Sequence, residues 1–405
     1  MRIDTSYSEI GPAPGNAGAG ARRRRSSRSP RSAATPPAAS SGKPKRPLAQ
    51  TRAAIPAPLP GGNARNAGRG AGALMRSSDD APGYTRRLVG KRFAYFDSNG
   101  VRIRDPGTIA RIDALAIPPA YTDVWICADE CGHLQATGRD ARGRKQYRYH
   151  PRWRDQRDRD KFGKLADFAQ ALPRIRARVA ADLRLRGLPR NKVVAAIVRL
   201  LDSTLVRIGN AEYVRENASY GLTTVRKRHL REEGRTLKLC FNGKHGIEHE
   251  VPINDPAVVT VVRRCAALPG RELFRYVEAS GNGTHKVTAA DVNAWLHEAG
   301  GDAFTAKDYR TWAASAVALA LLRVAEPPRS ARAARSTVAG VAREVAALLR
   351  NTPTVCRNSY IHPAVVEAFA AGELASLRCR VRRAGLSAEE RMLATLLDVC
   401  AGRQS

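Results

Sequence analysis

The stretch Asn351-Thr352-Pro353-Thr354-Val355-Cys356-Arg357-Asn358-Ser359-Tyr360-Ile361-His362-Pro363 decides how the rest of the chain is read. It follows an apolar stripe, Val338, Val341, Val345, Leu348 and Leu349, whose three- and four-residue steps predict a helix. It closes on a proline suited to a first helical turn. A tyrosine, an amide and Arg357 are therefore held on constrained backbone. A lone tyrosine is ordinarily a core aromatic with a satisfied hydroxyl. Tyr360 earns another reading only from the basic residues elsewhere in the chain.

Charge indicates the partner. The 405 residues carry 69 Lys+Arg against 37 Asp+Glu, a formal net charge of +32. That imbalance points to a polyanion, and nucleic acid is the usual one. A membrane surface is the weaker alternative, because no stretch is long and apolar enough to span a bilayer. The N-terminus also lacks the apolar segment of a secretory signal. Seven scattered cysteines suit reduced thiols in a cytoplasmic protein better than a disulfide framework. Cys127, Cys131 and His133 are not followed by a second ligand pair at a finger-like distance, so no metal is expected.

Residues 1–80 are Ala, Gly, Pro, Ser and Arg with almost no large apolar side chains. Such a segment cannot bury enough surface to offset the entropy of ordering, and it is expected to be a disordered basic arm. It is either a solvated tail or a source of non-specific attraction to phosphates. Short β-like runs at 92–96 and 124–127, broken by Asn99-Gly100, Gly132 and Gly138, predict a small mostly-β domain over residues 81–157. Its last part holds Arg144-Lys145-Gln146-Tyr147-Arg148-Tyr149. In an extended conformation Tyr147 and Tyr149 share a face, with Arg144 and Arg148 opposite or wrapping round. Aromatics interleaved with guanidinium groups suit a nucleic-acid surface; a solvated hairpin is the alternative.

Arg152 to Lys164 mixes both charges and reads as a hinge or an exposed helix start. From 158 to 405 the pattern is mostly helical. Val194, Ile197, Leu201, Leu205 and Ile208 predict a helix over 191–208 ended by Gly209, with Arg207 in its last turn. A cation there would favour the helix C-terminus without further purpose. Residues 236–241 and 246–251 alternate around Asn242-Gly243, a hairpin turn signal that puts Lys244 at or beside the tip. Thr288-x-x-Asp291 and Thr305-x-x-Asp308 are capping boxes opening helices at 292–298 and 307–322. Ser387-x-x-Glu390 opens a last helix running through Val399. Arg310 falls near the start of its helix, where a guanidinium is unfavourable unless an anion is bound. The expected class is α+β: a disordered basic arm, a small mostly-β domain, then a mostly α-helical domain with a β-hairpin.

Taken in order, these segments resemble the type IB DNA topoisomerases in their compact bacterial and poxvirus form, over roughly residues 85–385. Gly143 through Tyr149 resembles the clamp-domain strand that touches DNA. Leu205-Val206-Arg207-Ile208-Gly209-Asn210 through Tyr213 resembles the first catalytic-arginine segment. Phe241-Asn242-Gly243-Lys244 resembles the catalytic-lysine hairpin. Lys307-Asp308-Tyr309-Arg310-Thr311-Trp312 resembles the second arginine helix, and Asn351 through Tyr360 the segment ending in the nucleophile.

The resemblance implies a two-lobed clamp on duplex DNA, acting as a monomer without cofactor, metal or ATP. It implies that Tyr360 forms a 3′-phosphotyrosyl bond, with Arg207, Lys244, Arg310 and Asn351 in support. It also implies DNA contacts at Arg144, Lys145, Gln146, Tyr147, Tyr149 and Tyr213. Eukaryotic and poxvirus members carry histidine where Asn351 stands; an amide can donate a hydrogen bond there but cannot exchange a proton. Two other readings compete. A tyrosine recombinase usually carries a His-x-x-Arg box, and here Lys307 occupies the first position. An architectural DNA-binding protein would use the basic groups only as phosphate anchors.

Overall fold

The computed structural model describes residues 73–234, 236–278, 283–301, 303–379 and 384–402. The arm expected over residues 1–80 lies outside the described residues as far as 72. Residues 75–80, assigned to it by composition, are instead tied into structure. The Met75 N–H donates to the Cys131 carbonyl at 2.9 Å, and the Ser77 hydroxyl donates to the Leu134 carbonyl at 3.0 Å. Asp79 pairs with Lys145 at 2.5 Å and accepts from the Thr137 hydroxyl at 2.9 Å. Polar partners this far along the chain leave no local pattern to read.

The first sheet is antiparallel: β1 (Tyr84–Val89), β2 (Arg92–Phe96), β3 (Thr122–Ile126), β4 (Leu134–Arg139) and β5 (Lys145–Tyr149), in the order β2-β1-β3-β4-β5. Helix α1 (Pro106–Ala114) lies between β2 and β3 in the chain, and its Ile112 packs with Val124, Ile126 and Ala136 in a small core of their own. β5 has a strand neighbour on one side only, so it is an edge.

The chain then enters α2 (Pro151–Asp182), a helix of 32 residues with Pro151 in its first turn. The expected domain boundary at 157/158 therefore falls inside a continuous helix. The mixed charges at 152–164 are largely its exposed early turns. Next come α3 (Arg190–Thr204), α4 (Ala211–Asn217), β6 (Leu230–Glu233), β7 (Thr236–Asn242), β8 (Glu248–Ile253) and α5 (Pro256–Ala267). After these follow β9 (Arg275–Val277), β10 (Thr284–Lys286), α6 (Ala289–Gly300), α7 (Ala306–Val324) and α8 (Ala331–Leu349). The described chain ends with α9 (Pro353–Ser359), α10 (Pro363–Ala370) and α11 (Ala388–Gly402).

β6, β7 and β8 form one antiparallel sheet and β9 with β10 a separate pair. The helices share one large core, in which the Phe168 ring meets Phe304, Tyr309 and Trp312 edge-on. Burying such rings supplies most of the stabilisation of a helical layer. Both capping boxes form: Thr288 and Thr305 take their backbone N–H bonds to Asp291 and Asp308 at 2.8 and 2.7 Å. α7 is buried along most of its length, which fixes whatever side chains it carries toward its neighbours.

Candidate active site

Arg207 is not in a helix. α3 stops at Thr204, because Leu205 takes a left-handed cap (φ 56°, ψ 19°) whose N–H still reaches the Leu201 carbonyl. That cap leaves the Leu205 carbonyl to the Arg310 guanidinium instead of to the next helical turn. Arg207 follows on non-helical backbone, where its carbonyl accepts the Leu222 N–H at 3.0 Å. A Cβ on Gly221 would stand 2.5 Å from that carbonyl oxygen, so only glycine allows the approach. The helix-terminus account of Arg207 is thereby replaced.

Arg310 projects from the second turn of α7 and is 4% exposed. Besides Leu205, it donates to the Leu349 carbonyl at 2.8 Å, and its guanidinium carbon lies 5.3 Å from the centre of the Tyr360 ring. Burial first and Arg207 second press its pKa below the usual arginine value, while Tyr360 works the other way. Arg310 Nε and Arg207 Nη1 are both buried with no hydrogen-bond partner among the described residues. A buried cation that meets carbonyls but no carboxylate is costly by itself. Arg207 is half-buried, but its Nη1 is enclosed and its charge acts on Arg310, so the two guanidinium groups together can accept an oxyanion, to which such forks are matched.

The lysine hairpin differs in detail from the expectation. Asn242 closes β7, Gly243 has φ −91°, and the left-handed residues are His245 and Gly246. Gly243 is needed for closeness, not for its dihedral: a Cβ there would stand 2.5 Å from His249 Nε2. Lys244 lies at the protein surface, but protein gathered around its ammonium partly shields it from water, and the setting is rich in cations. Desolvation, then Arg207, then Arg144 and Arg310, hold its ammonium below the usual lysine pKa against the opposing effect of Tyr360.

Tyr360 caps the C-terminus of α9, with its N–H on the Cys356 carbonyl at 3.0 Å. Its own carbonyl accepts from the Ser315 hydroxyl at 3.1 Å, and the Ser315 hydroxyl oxygen in turn accepts the His362 N–H at 2.9 Å. Ser315 is fully buried on α7, five residues after Arg310. One helix therefore carries the arginine and moors the tyrosine. The sequence does not single out Ser315, because a serine within a helix signals only back-bonding to its own turn; here its one hydroxyl hydrogen is divided between the Thr311 carbonyl at 2.8 Å and the Tyr360 carbonyl at 3.1 Å. Asn351 follows the left-handed cap of α8, Arg350, and its Oδ1 accepts the Thr352 N–H at 2.9 Å. Its amide hydrogens remain to be donated.

On β5 the side chains of Lys145, Tyr147 and Tyr149 share the exposed face. The two rings are near-parallel at 6.1 Å, and the Lys145 ammonium lies 5.7 Å from Tyr147. Tyr213, exposed on α4, is near enough to help raise the Tyr149 pKa after burial and Tyr147. Gln146 is not on that face: its Nε2 donates to Asp140 at 3.0 Å. Asp140 also holds Arg144, by Nε at 2.8 Å and Nη2 at 2.6 Å. Arg148 is turned to the Ala116 carbonyl.

Comparison with known proteins bears on both parts of the chain. Residues 150–381 match the family described as the catalytic core of eukaryotic DNA topoisomerase I. Residues 92–140 match the N-terminal domain of bacterial DNA topoisomerase IB. A DNA topoisomerase 1B from Acanthamoeba polyphaga mimivirus is 30% identical over 296 residues, which cover 71% of this chain and 87% of that protein.

Proposed function

The chain belongs to the type IB DNA topoisomerases, and on that footing we propose that Tyr360 opens one strand of duplex DNA by attacking a backbone phosphate. The phenolic oxygen bonds to phosphorus as the bond to the 5′-oxygen breaks, leaving a 3′-phosphotyrosyl link and a 5′-hydroxyl. The duplex turns about the intact strand, and the hydroxyl then attacks back. Because a protein ester stores the energy of the phosphodiester, resealing calls for neither ATP nor metal. Supercoils of both signs relax.

Arg207 and Arg310 take the non-bridging oxygens as negative charge gathers on them. Lys244, acting with Arg207, protonates the departing 5′-oxygen, which would otherwise leave as a strongly basic alkoxide. Asn351 donates a hydrogen bond to a phosphate oxygen. The observation that carries this reading is the Arg310 guanidinium, buried beside the Tyr360 ring with its Nε–H unpartnered among the described residues, together with the buried, unpartnered Nη1–H of Arg207, whose charge acts on Arg310 and Lys244. The exposed face of Lys145, Tyr147 and Tyr149, with Tyr213, packs on the duplex, and Arg144 reaches toward the scissile phosphate. Gln146 contributes once it is released from Asp140. Residues 1–72 add non-specific phosphate contacts. The enzyme works as a monomer on cytoplasmic, nucleoid DNA, and among the described residues no helix is long and apolar enough to cross a membrane.

The test is relaxation of negatively and positively supercoiled plasmid in EDTA without ATP. Both signs are expected to relax, and Tyr360→Phe is expected to bind DNA but form no covalent adduct. Tight binding without relaxation by the wild-type protein, or an adduct formed by Tyr360→Phe, would refute the assignment.

A further inference from the structure

β8 turns His249 inward, in line with Val251 and Ile253, so a histidine occupies a position its strand reserves for the core. The imidazole lies flat on Phe241, with ring centres 5.0 Å apart and planes 4° apart. Gly243, the residue before Lys244, rests directly against it. Burial first, then Arg350, Arg207 and Arg310, push its pKa down to about 4, so the ring is neutral under ordinary conditions. Its Nδ1 is buried and meets no partner among the described residues.

A single side chain takes the two carbonyls flanking this ring. Arg350 donates from Nη1 to the Glu248 carbonyl at 2.8 Å and from Nη2 to the Glu250 carbonyl at 3.1 Å. Among the described residues β8 is an edge strand, so these bonds occupy outward carbonyls that would otherwise face water or another strand. Arg350 is also the left-handed cap (φ 48°, ψ 64°) that ends α8, and Asn351 follows it with its N–H on the Ala346 carbonyl at 2.9 Å.

We propose that Arg350 is a positioning residue that fixes the distance between the Lys244 turn and the Asn351–Tyr360 segment, with His249 as the ring on which the turn rests. The proposal depends on the acid role given to Lys244 above. Lys244 and Asn351 must address different oxygens of one phosphate, yet they sit on elements that are remote in the chain. A planar fork gripping two alternate carbonyls sets the strand's register and depth against the end of α8. A flexible ammonium would grip one at a time.

A DNA substrate with sulfur in place of the bridging 5′-oxygen tests this, because a thiolate leaves without needing a proton. Single-turnover cleavage is measured on oxygen and sulfur substrates for wild type, Lys244→Ala and Arg350→Met, with Arg350→Gln as a second variant should the first fail to fold. Lys244→Ala is expected to lose cleavage of the oxygen ester and recover it on sulfur. Arg350→Met or Arg350→Gln is expected to show the same pattern in smaller measure, about tenfold to a hundredfold slower on oxygen, as for a misplaced group, and near normal on sulfur. DNA binding at low salt should be unchanged. Equal slowing on both substrates, or no slowing on either, overturns the positioning role while leaving Lys244 as the acid. If Lys244→Ala gains nothing from sulfur, the acid assignment fails and the positioning role with it.

Discussion

Desolvation first, then Arg207, Arg144 and Arg310, lower the pKa of the Lys244 ammonium, and Tyr360 opposes them. In the general-acid role proposed for it, Lys244 is competent only while protonated. With its pKa held below the usual lysine value, the competent form is complete below that lowered pKa and is lost as pH rises through it. Cleavage of the native ester is therefore expected to decline at a pH where a free lysine would still be charged, while cleavage of the bridging-sulfur ester stays level. A native-substrate rate that holds up to the ordinary lysine range would contradict this. Tyr360, Lys244 and Arg310 could be singled out in the sequence as candidates because side-chain type and a nearby turn or cap announce them. Arg350 and Ser315 were not, because each acts on backbone carbonyls, and a carbonyl looks the same at every position. His249 left a trace in the alternation with Val251 and Ile253, where a polar residue falls on an apolar face.

α2, α3 and α11 are joined by one cation. Arg176 bonds Asp202 through Nε and Nη2, both at 2.8 Å, and Glu390 through Nη1 and Nη2, also at 2.8 Å. Glu390 takes the Trp312 indole N–H of α7 at 3.0 Å and the Ser387 backbone N–H at 2.8 Å. The sequence pattern Ser387-x-x-Glu390 announced a helix start and nothing more; the same carboxylate also closes a four-helix junction. Burial alone would raise the Glu390 carboxyl, but the Arg176 bonds overcome it and hold the pKa below the usual value. Its contribution is thus present above the unfolded carboxylate pKa and lost as pH falls through the lowered one. Glu390→Ala leaves Arg176 partly unpaired and the indole N–H without an acceptor. It is expected to destabilise by about 3–5 kcal/mol in urea unfolding; a change within about 0.5 kcal/mol, as at ordinary surface sites, would refute the junction. Helix existence was readable from apolar spacing, whereas helix ends were not. The stripe through Leu205 and Ile208 ran past Thr204, and the left-handed turn at Leu205 answers to Arg310 on another helix.

At the scale of the whole molecule, two separate cores are connected through α2. A net charge of +32 predicts duplex binding that falls steeply with salt. Contact with ~6–10 phosphates would cost ~10³–10⁵ in affinity between 50 and 200 mM salt, and a flat response in a binding titration would count against the extended interface. The N-terminal boundary gives a second test. Removing residues 1–72 is expected to leave strand cleavage intact and weaken binding at moderate salt. Removing residues 1–80 also deletes Ser77 and Asp79, which hold His133, Leu134, Thr137 and Lys145, and is expected to lower the melting temperature and disturb β5. Equal stability of the two truncations would show that the segment is dispensable. The order of the two domains was legible from composition and turn signals. The position of their junction was not, because charge alternating along α2 marks an exposed helical face as readily as a linker.

The Ser315 bond to the Tyr360 carbonyl has a consequence for the open state. On the chemistry proposed for Tyr360, the 3′ end of a broken strand travels wherever the tyrosine goes, and the tyrosine is anchored to the same helix as Arg310. One of the two ends is thus kept at the repair point throughout. Resealing is then a search by a single loose end, and the torsion stored in the DNA sets how far that end strays before it returns.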